Sequence, residues 1–367
     1  MSIILFIIIL AVLIFVHELG HFIVAKRSGI RVDEFGLGFP PRLWSKKRGE
    51  TTYSINAIPF GGFVKIFGEN PDDESIGGPD SKRSFVNKPR SIQAAVLAAG
   101  VFFNFVFAWL LISIGFMFGL PTPADYGGSV PVQDAKLIVT SVSSESPASE
   151  VGLQPGDRIL FVESSKGSLQ DETLTVPNVQ ELIAESVNEE ITLLYRRGNE
   201  NQLVRIEPEV GIVEGRAAIG VGMDRIGILK LPAHKAIWSG AVATVNLTKA
   251  ISVGLADFFT GLFRGTSSIG QVTGPVGIVG LVGQVSELGF IYILSFTAFI
   301  SINLAVINLI PFPALDGGRL LFVLIEAIKG SPINPKIANI LNGVGFALLI
   351  ILMLLVTYND ILKLITN

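Results

Sequence analysis

Residues Ile3 to Ala25 form one apolar stretch long enough to span a bilayer, and three ionisable side chains, His17, Glu18 and His21, lie inside it. This constrains the chain more than any other feature. Ionisable groups at membrane depth are costly and mark functional sites by default. On a helix, positions four apart share a face, so both imidazoles can grip one metal while Glu18 reaches a water beside it. A bare His-Glu-x-x-His arises readily by chance, but solvation cost opposes a chance copy in a lipid-facing helix.

With 49% hydrophobic and 16% charged residues, the chain falls among polytopic membrane proteins. Its 367 residues exceed what the spans need, so a soluble domain is expected as well. A net charge of −3 gives no sign of a nucleic-acid partner. There is no cysteine, so any metal must be held by His, Asp or Glu. The N-terminus lacks a basic leader and a small-residue cleavage site, and reads as a retained first span.

The expected fold is a polytopic α-helical membrane protein with four transmembrane helices, a membrane-associated β-hairpin and an inserted α+β domain. The spans are placed at about 2–25, 92–120, 288–310 and 340–356. Four segments follow: 1–120 with the motif and a basic loop, 121–210 as the inserted domain, 211–285 with a membrane-surface helix over 234–263, and 286–367. Twelve basic residues between spans 1 and 2, from Lys26 to Arg90, put that loop in the cytoplasm. Both termini and the inserted domain are then outside, and the motif lies towards the cytoplasmic face. For the 234–263 helix, burial within the soluble domain is the competing placement.

The inserted domain reads as short strands and two helices. Strands are expected at 137–142, 158–162, 191–196 and 202–206, with a one-turn helix at 146–151 and a helix capped by Asn178 and Glu181. It resembles a PDZ domain, and the turn Gly152-Leu153-Gln154-Pro155-Gly156-Asp157 carries the likeness. Such domains capture a peptide C-terminus on loop N–H groups, which would give Gly152, Leu153, Pro155, Gly156 and Asp157 that role; a spacer without ligand is the other reading.

A third metal ligand should be an acid. In Asn308-Leu309-Ile310-Pro311-Phe312-Pro313-Ala314-Leu315-Asp316-Gly317-Gly318, two prolines break span 3 and two glycines follow. Irregular backbone at membrane depth is tolerated where it is buried in protein or lines a wet cavity. Asp316 is therefore either a ligand or the N-cap of a helix over 319–329.

Taken in order, the His-Glu-x-x-His helix, Pro59-Phe60-Gly61-Gly62-Phe63-Val64-Lys65, Gly274-Pro275-Val276-Gly277 and the Leu-Asp-Gly segment resemble the site-2 protease family of intramembrane zinc metalloproteases, and most of all its RseP-type branch. The likeness covers nearly the whole chain. It implies zinc on His17, His21 and Asp316, Glu18 as general base, a bacterial inner-membrane location, and single-pass membrane substrates such as anti-sigma factors or remnant signal peptides. It implies that residues 53–66 form a hairpin whose edge pairs with unwound substrate, engaging Ile55, Phe60, Gly61, Gly62 and Val64. It also implies substrate-backbone contacts for Asn303 and Asn308, whose alternative is interhelical bonding. His234 reads as a surface residue. Val101 stands where many relatives carry proline, with Asn104 retained; Arg319 stands where His is frequent, and one PDZ-like unit is visible where some relatives have two. The competing reading is an inactive membrane-anchored PDZ scaffold, against which the intact His17, Glu18, His21 and Asp316 argue. A transporter would need an internal repeat or polar residues across several spans, and neither is visible.

Overall fold

The computed structural model describes residues 2–124, 132–143, 146–213, 215–266, 270 and 272–366, without the side chains of residues 59, 60, 213, 335, 364 and 366. The chain divides into two compact units, Met1–Met117 with Pro232–Asn367, and Phe118–Leu231.

The first unit opens with α1 (Ser2–Arg27), strands β1 (Val32–Arg48) and β2 (Thr51–Ile66), the short α2 (Asp73–Gly77) and α3 (Arg90–Phe118). Helix α1 is apolar on all faces, as expected of a helix surrounded by lipid or protein rather than water. It stops where Lys26 and Arg27 meet its negative end and Gly29 takes a left-handed turn (φ 66°). Helix α3 follows Pro89, and Gln93 donates to the Val86 and Lys88 carbonyls at its start.

The second unit holds β3 (Leu120–Pro123), β4 (Gln133–Val142), α4 (Pro147–Glu150), β5 (Arg158–Ser164), β6 (Gly167–Gln170), α5 (Val176–Glu185), β7 (Ile191–Arg197), β8 (Glu200–Ile206), β9 (Glu209–Val213), β10 (Arg216–Ala218) and β11 (Val221–Leu229). Its main sheet runs β3-β11-β4-β5-β7-β8, with β6 on β5. Inward residues of alternating strands, Leu137, Val139, Ile159, Val162, Leu193 and Tyr195, pack under Val179, Leu182 and Ile183 of α5. The sequence ended this domain at residue 210. The unit instead runs to Leu231, because β11 fills the place between β3 and β4. The α5 cap is also different: Thr175 accepts from the Asn178 N–H and Pro177 occupies the first turn, so Asn178 is inside the helix.

The chain returns to the first unit with α6 (Ala233–Arg264), α7 (Pro275–Leu288), α8 (Phe290–Leu309), α9 (Asp316–Lys329) and α10 (Pro335–Thr366). Among the described residues, five helices, α1, α3, α6, α8 and Lys336–Lys363 within α10, are long and apolar enough to cross a membrane, rather than the expected four. The addition is α6, whose best window has a mean hydropathy of only 1.2. Its start is tied to α3, where Trp109 Nε1 donates to the Ile237 carbonyl at 2.8 Å. Helix α7 begins with the N–H groups of Gly274 and Gly277 bonded to the Asp360 carboxylate of α10, at 3.1 and 2.8 Å, which satisfies donors a helix start leaves free.

Strands β1 and β2 bend sharply and pair piecewise. Residues 42–48 pair with 51–56, and 34–37 lie between 52–55 on one side and 62–65 on the other. The sequence had 53–66 folding on itself as a hairpin, but its two arms never pair with each other. The missing middle piece is β1, whose Pro40-Pro41 and basic run concealed its strand character. Ile30, Val32, Ile66, Phe85, Val96, Leu97 and Val323 form one buried cluster that seats this sheet among α1, α3 and α9.

Candidate active site

His17 and His21 lie one turn apart on α1 and both are buried. Their Nε2 atoms approach to 3.2 Å. Asp316 Oδ2 lies 3.0 Å from His17 Nε2 and 3.4 Å from His21 Nε2. Asp316 is thus not a helix cap. Leu315 holds the cap position and makes no side-chain bond, while Asp316 is the first residue of α9.

The broken end of α8 brings Asp316 to the histidines. Helix α8 stops at Leu309, the chain turns through Pro311 and Pro313, and Ala314 adopts φ 77° with its N–H bonded to Asn342 Oδ1. The backbone then folds so tightly that a Cβ on Gly317 would sit 2.3 Å from the Ile310 carbonyl oxygen, and one on Gly318 2.2 Å from that of Phe312. Only glycine fits at either place.

The three facing atoms suit a metal. Ligands about 2.0–2.2 Å from a tetrahedral zinc stand about 3.3–3.6 Å apart, close to the three separations here. Asp316 Oδ2 is buried and has no hydrogen-bond partner among the described residues despite its neighbours, as expected of an atom oriented to a shared cation. His21 Nδ1 donates to the Val96 carbonyl at 2.8 Å, which fixes its tautomer and leaves Nε2 a lone pair to offer. Among the described residues these three form the one group able to hold a metal.

The metal-ligand face opens on a cavity of about 230 Å³, also lined by Glu18, Gly62, Phe63, Val64, Glu69 and Arg319. Strand β2 crosses α1 here, so that a Cβ on Gly62 would come within 3.3 Å of Glu18 Cγ. Residues 62–65 pair with β1 along one edge, and the other has no strand partner among the described residues. Gly62 and Val64 therefore line the cavity. Ile55 does not, because its backbone is flanked by Leu37 on one side and Trp44 on the other, making it an inner position. Gly61 faces the Phe39 ring, and the Phe60 side chain lies outside the described residues. Asn303 donates to the Phe299 carbonyl of its own helix, and neither it nor Asn308 lines the cavity.

In the second unit, Leu153 is in the core, and Asp157 is buried against Arg197 at 2.7 Å while its carboxylate also accepts from the Gln154 N–H. Arg197 further donates to the Gly152 carbonyl at 2.7 Å, so Gly152 and Asp157 serve the closure of their own turn. Gly156 donates its N–H to the Val139 carbonyl.

Sequence reasoning passed over Gly100 and Glu69. A Cβ on Gly100 would lie 2.3 Å from His21 Nε2, so α3 presses its bare backbone against the ligands. The available signal was a glycine midway along an apolar span. Glu69 forms an ion pair with Arg319 at the cavity wall, and its signal was a lone acid just beyond β2.

The profile of Peptidase family M50 matches residues 5–352. The chain belongs to peptidase family M50. It is 30% identical to the regulator of sigma-W protease RasP of Bacillus subtilis, over 99% of both chains. It is 31% identical to the zinc metalloprotease RasP of Geobacillus kaustophilus, over 99% of this chain and 98% of that one. Among solved structures, the PDZ domain of an SdrC-like protein from Listeria innocua matches 24% of this chain and 92% of its own length, with 24% identity and a TM-score of 0.20. Membership in M50, the site-2 protease family, makes the chain a peptidase with zinc as its cofactor.

Proposed function

We propose that this M50 peptidase hydrolyses peptide bonds within transmembrane segments of single-pass membrane proteins, with membrane-anchored anti-sigma factors or remnant signal peptides as substrates. The observation that carries the reading is a single cavity holding the His17–His21–Asp316 cluster, Glu18 and an unpaired strand edge, among helices apolar enough to span a bilayer. His17, His21 and Asp316 would hold the zinc, which would supply Lewis-acid polarisation and make a water more acidic. Glu18 takes the proton of the attacking water and returns it to the leaving amine.

A helical substrate hides its amides in hydrogen bonds. Strand addition along 62–66 replaces those bonds with main-chain pairing and asks little of the substrate sequence. The name of the Bacillus subtilis relative supports an anti-sigma substrate. The basic residues between α1 and α3 support a cytoplasmic loop, an outward second unit and cleavage nearer the cytoplasmic face. A role for the second unit in capturing a peptide C-terminus rests on its sequence resemblance.

The test is cleavage of a membrane-anchored substrate by purified chain in detergent or liposomes. Product should appear with the parent and vanish with Glu18→Gln, which leaves the ligands in place. Equal cleavage by both would end the assignment.

A further inference from the structure

We infer that Asn104 of α3 is a positioning residue that sets the proton on His17, and through it the affinity of the site for zinc. The inference rests on the zinc reading given above. His17 and His21 differ in what holds their outer nitrogens. His21 Nδ1 faces a backbone carbonyl, which can only accept, so its tautomer is decided. His17 Nδ1 faces the side-chain amide of Asn104, with Nδ2 at 3.2 Å. Asn104 is fully buried, and its Oδ1 has no hydrogen-bond partner among the described residues.

These facts point one way. An imidazole that offers Nε2 to a metal must carry its proton on Nδ1, and that proton needs an acceptor. The amide nitrogen can only donate. A half-turn about the Cβ–Cγ bond exchanges two groups of nearly equal size, places Oδ1 on the Nδ1 proton and ends the isolation of a buried oxygen. The exchange turns two donors that face each other into a donor and an acceptor, and the amide nitrogen takes the oxygen's former place. The Asn104 main chain is fixed independently: its carbonyl accepts from Ser301 Oγ of α8 at 2.9 Å. That bond ties α3 to α8 whatever the side chain does, which separates the amide's role from the residue's part in helix packing.

The test is zinc affinity of the full-length chain in detergent, by competition with a chromogenic chelator, alongside thermal unfolding. Asn104→Leu, which keeps the volume and loses the acceptor, should bind zinc about 10–100-fold more weakly, the usual effect of removing such a partner. Asn104→Asp, whose carboxylate accepts from Nδ1, should bind at least as tightly as the parent. Ser301→Ala should leave zinc affinity within a few-fold. If Asn104→Leu does not fold, Asn104→Ser reads the same way, its shorter hydroxyl falling short of Nδ1. Parental affinity in the Leu or Ser variant, or equal losses in the Leu and Asp variants, overturns the inference. A parent that binds no zinc, or a His17→Ala variant that binds it unchanged, removes the underlying metal assignment instead.

Discussion

Gly100→Ala is the smallest change with the largest expected consequence. The added methyl would stand 2.3 Å from His21 Nε2, 2.7 Å from His17 Cε1 and 2.8 Å from His17 Nε2. Carbon and nitrogen that are not bonded settle at roughly 3.3–3.5 Å, so a ligand atom must retreat by about 1 Å. Zinc–ligand distances tolerate about 0.2 Å. Withdrawing α3 instead would open the close packing beside it, where a Cβ on Gly20 would be 2.4 Å from the Ala99 carbonyl oxygen. The variant should therefore lose zinc, with a Kd raised at least about 100-fold, and lose cleavage with it. Overpacking adds a stability cost of about 1–3 kcal/mol. The assay is metal content after dialysis against a weak chelator, with thermal unfolding as the second axis. Gly254→Ala on α6, where a Cβ meets nothing within 4 Å, is the control and should keep both zinc and activity. A Gly100→Ala protein with one zinc per chain and parental turnover would refute the packing argument.

Asp316→Ala should lower zinc well below one per chain, whereas His234→Ala, at an exposed position of α6, should leave the metal content unchanged. Val64→Pro should keep zinc but lose cleavage of helical substrates more than of helix-destabilised ones; Ile55→Pro, at an inner strand, should instead lower the protein's thermal stability. Arg197→Ala leaves the buried Asp157 carboxylate without its cation and should destabilise the second unit by about 3–5 kcal/mol, readable by chemical denaturation of the full chain. Arg83, then Lys26, hold the Glu50 carboxyl below its ordinary value. A lowered folded-state pKa means the contribution is present above the unfolded pKa and is lost as pH falls through the folded one. Melting curves of parent and Glu50→Gln should accordingly converge at acid pH; a constant gap down to about pH 3 would refute the linkage. The pair is largely solvated, so the effect is small.

The convergence of His17, His21 and Asp316 was legible because its chemistry is expressed in residue types that are costly where they stand. Two histidines and an acid inside apolar sequence lose their hydration, and a shared cation is what restores that loss, while the proline–glycine grammar around Asp316 signalled a broken helix. The strands of the second unit were legible as well, since alternation and turn residues are local. What escaped was non-local. The place of β1 between the arms of β2 depends on a bend at Pro40-Pro41 and on pairing partners 18 to 31 residues away. The 118–231 limit of the second unit depends on β11 returning to the sheet beside β4. Gly100 has no side chain to read; its importance lies entirely in what approaches it. The count of membrane-length helices turned on α6, whose composition is borderline.

The proposed metal ligands are spread across the chain, two on α1 and one at the start of α9, roughly three hundred residues later. Translation proceeds at about 5–20 residues per second, so some 15–60 s separate the emergence of His21 from that of Asp316. Throughout that interval Glu18 stands on its apolar helix beside an incomplete proposed donor set. On the proposed ligand set, a nascent chain, or one cut short before the ninth helix, lacks its third ligand and cannot attack its neighbours. The order of residues along the polypeptide therefore acts as a built-in delay, arming the protease only once nearly all of its helices have been made.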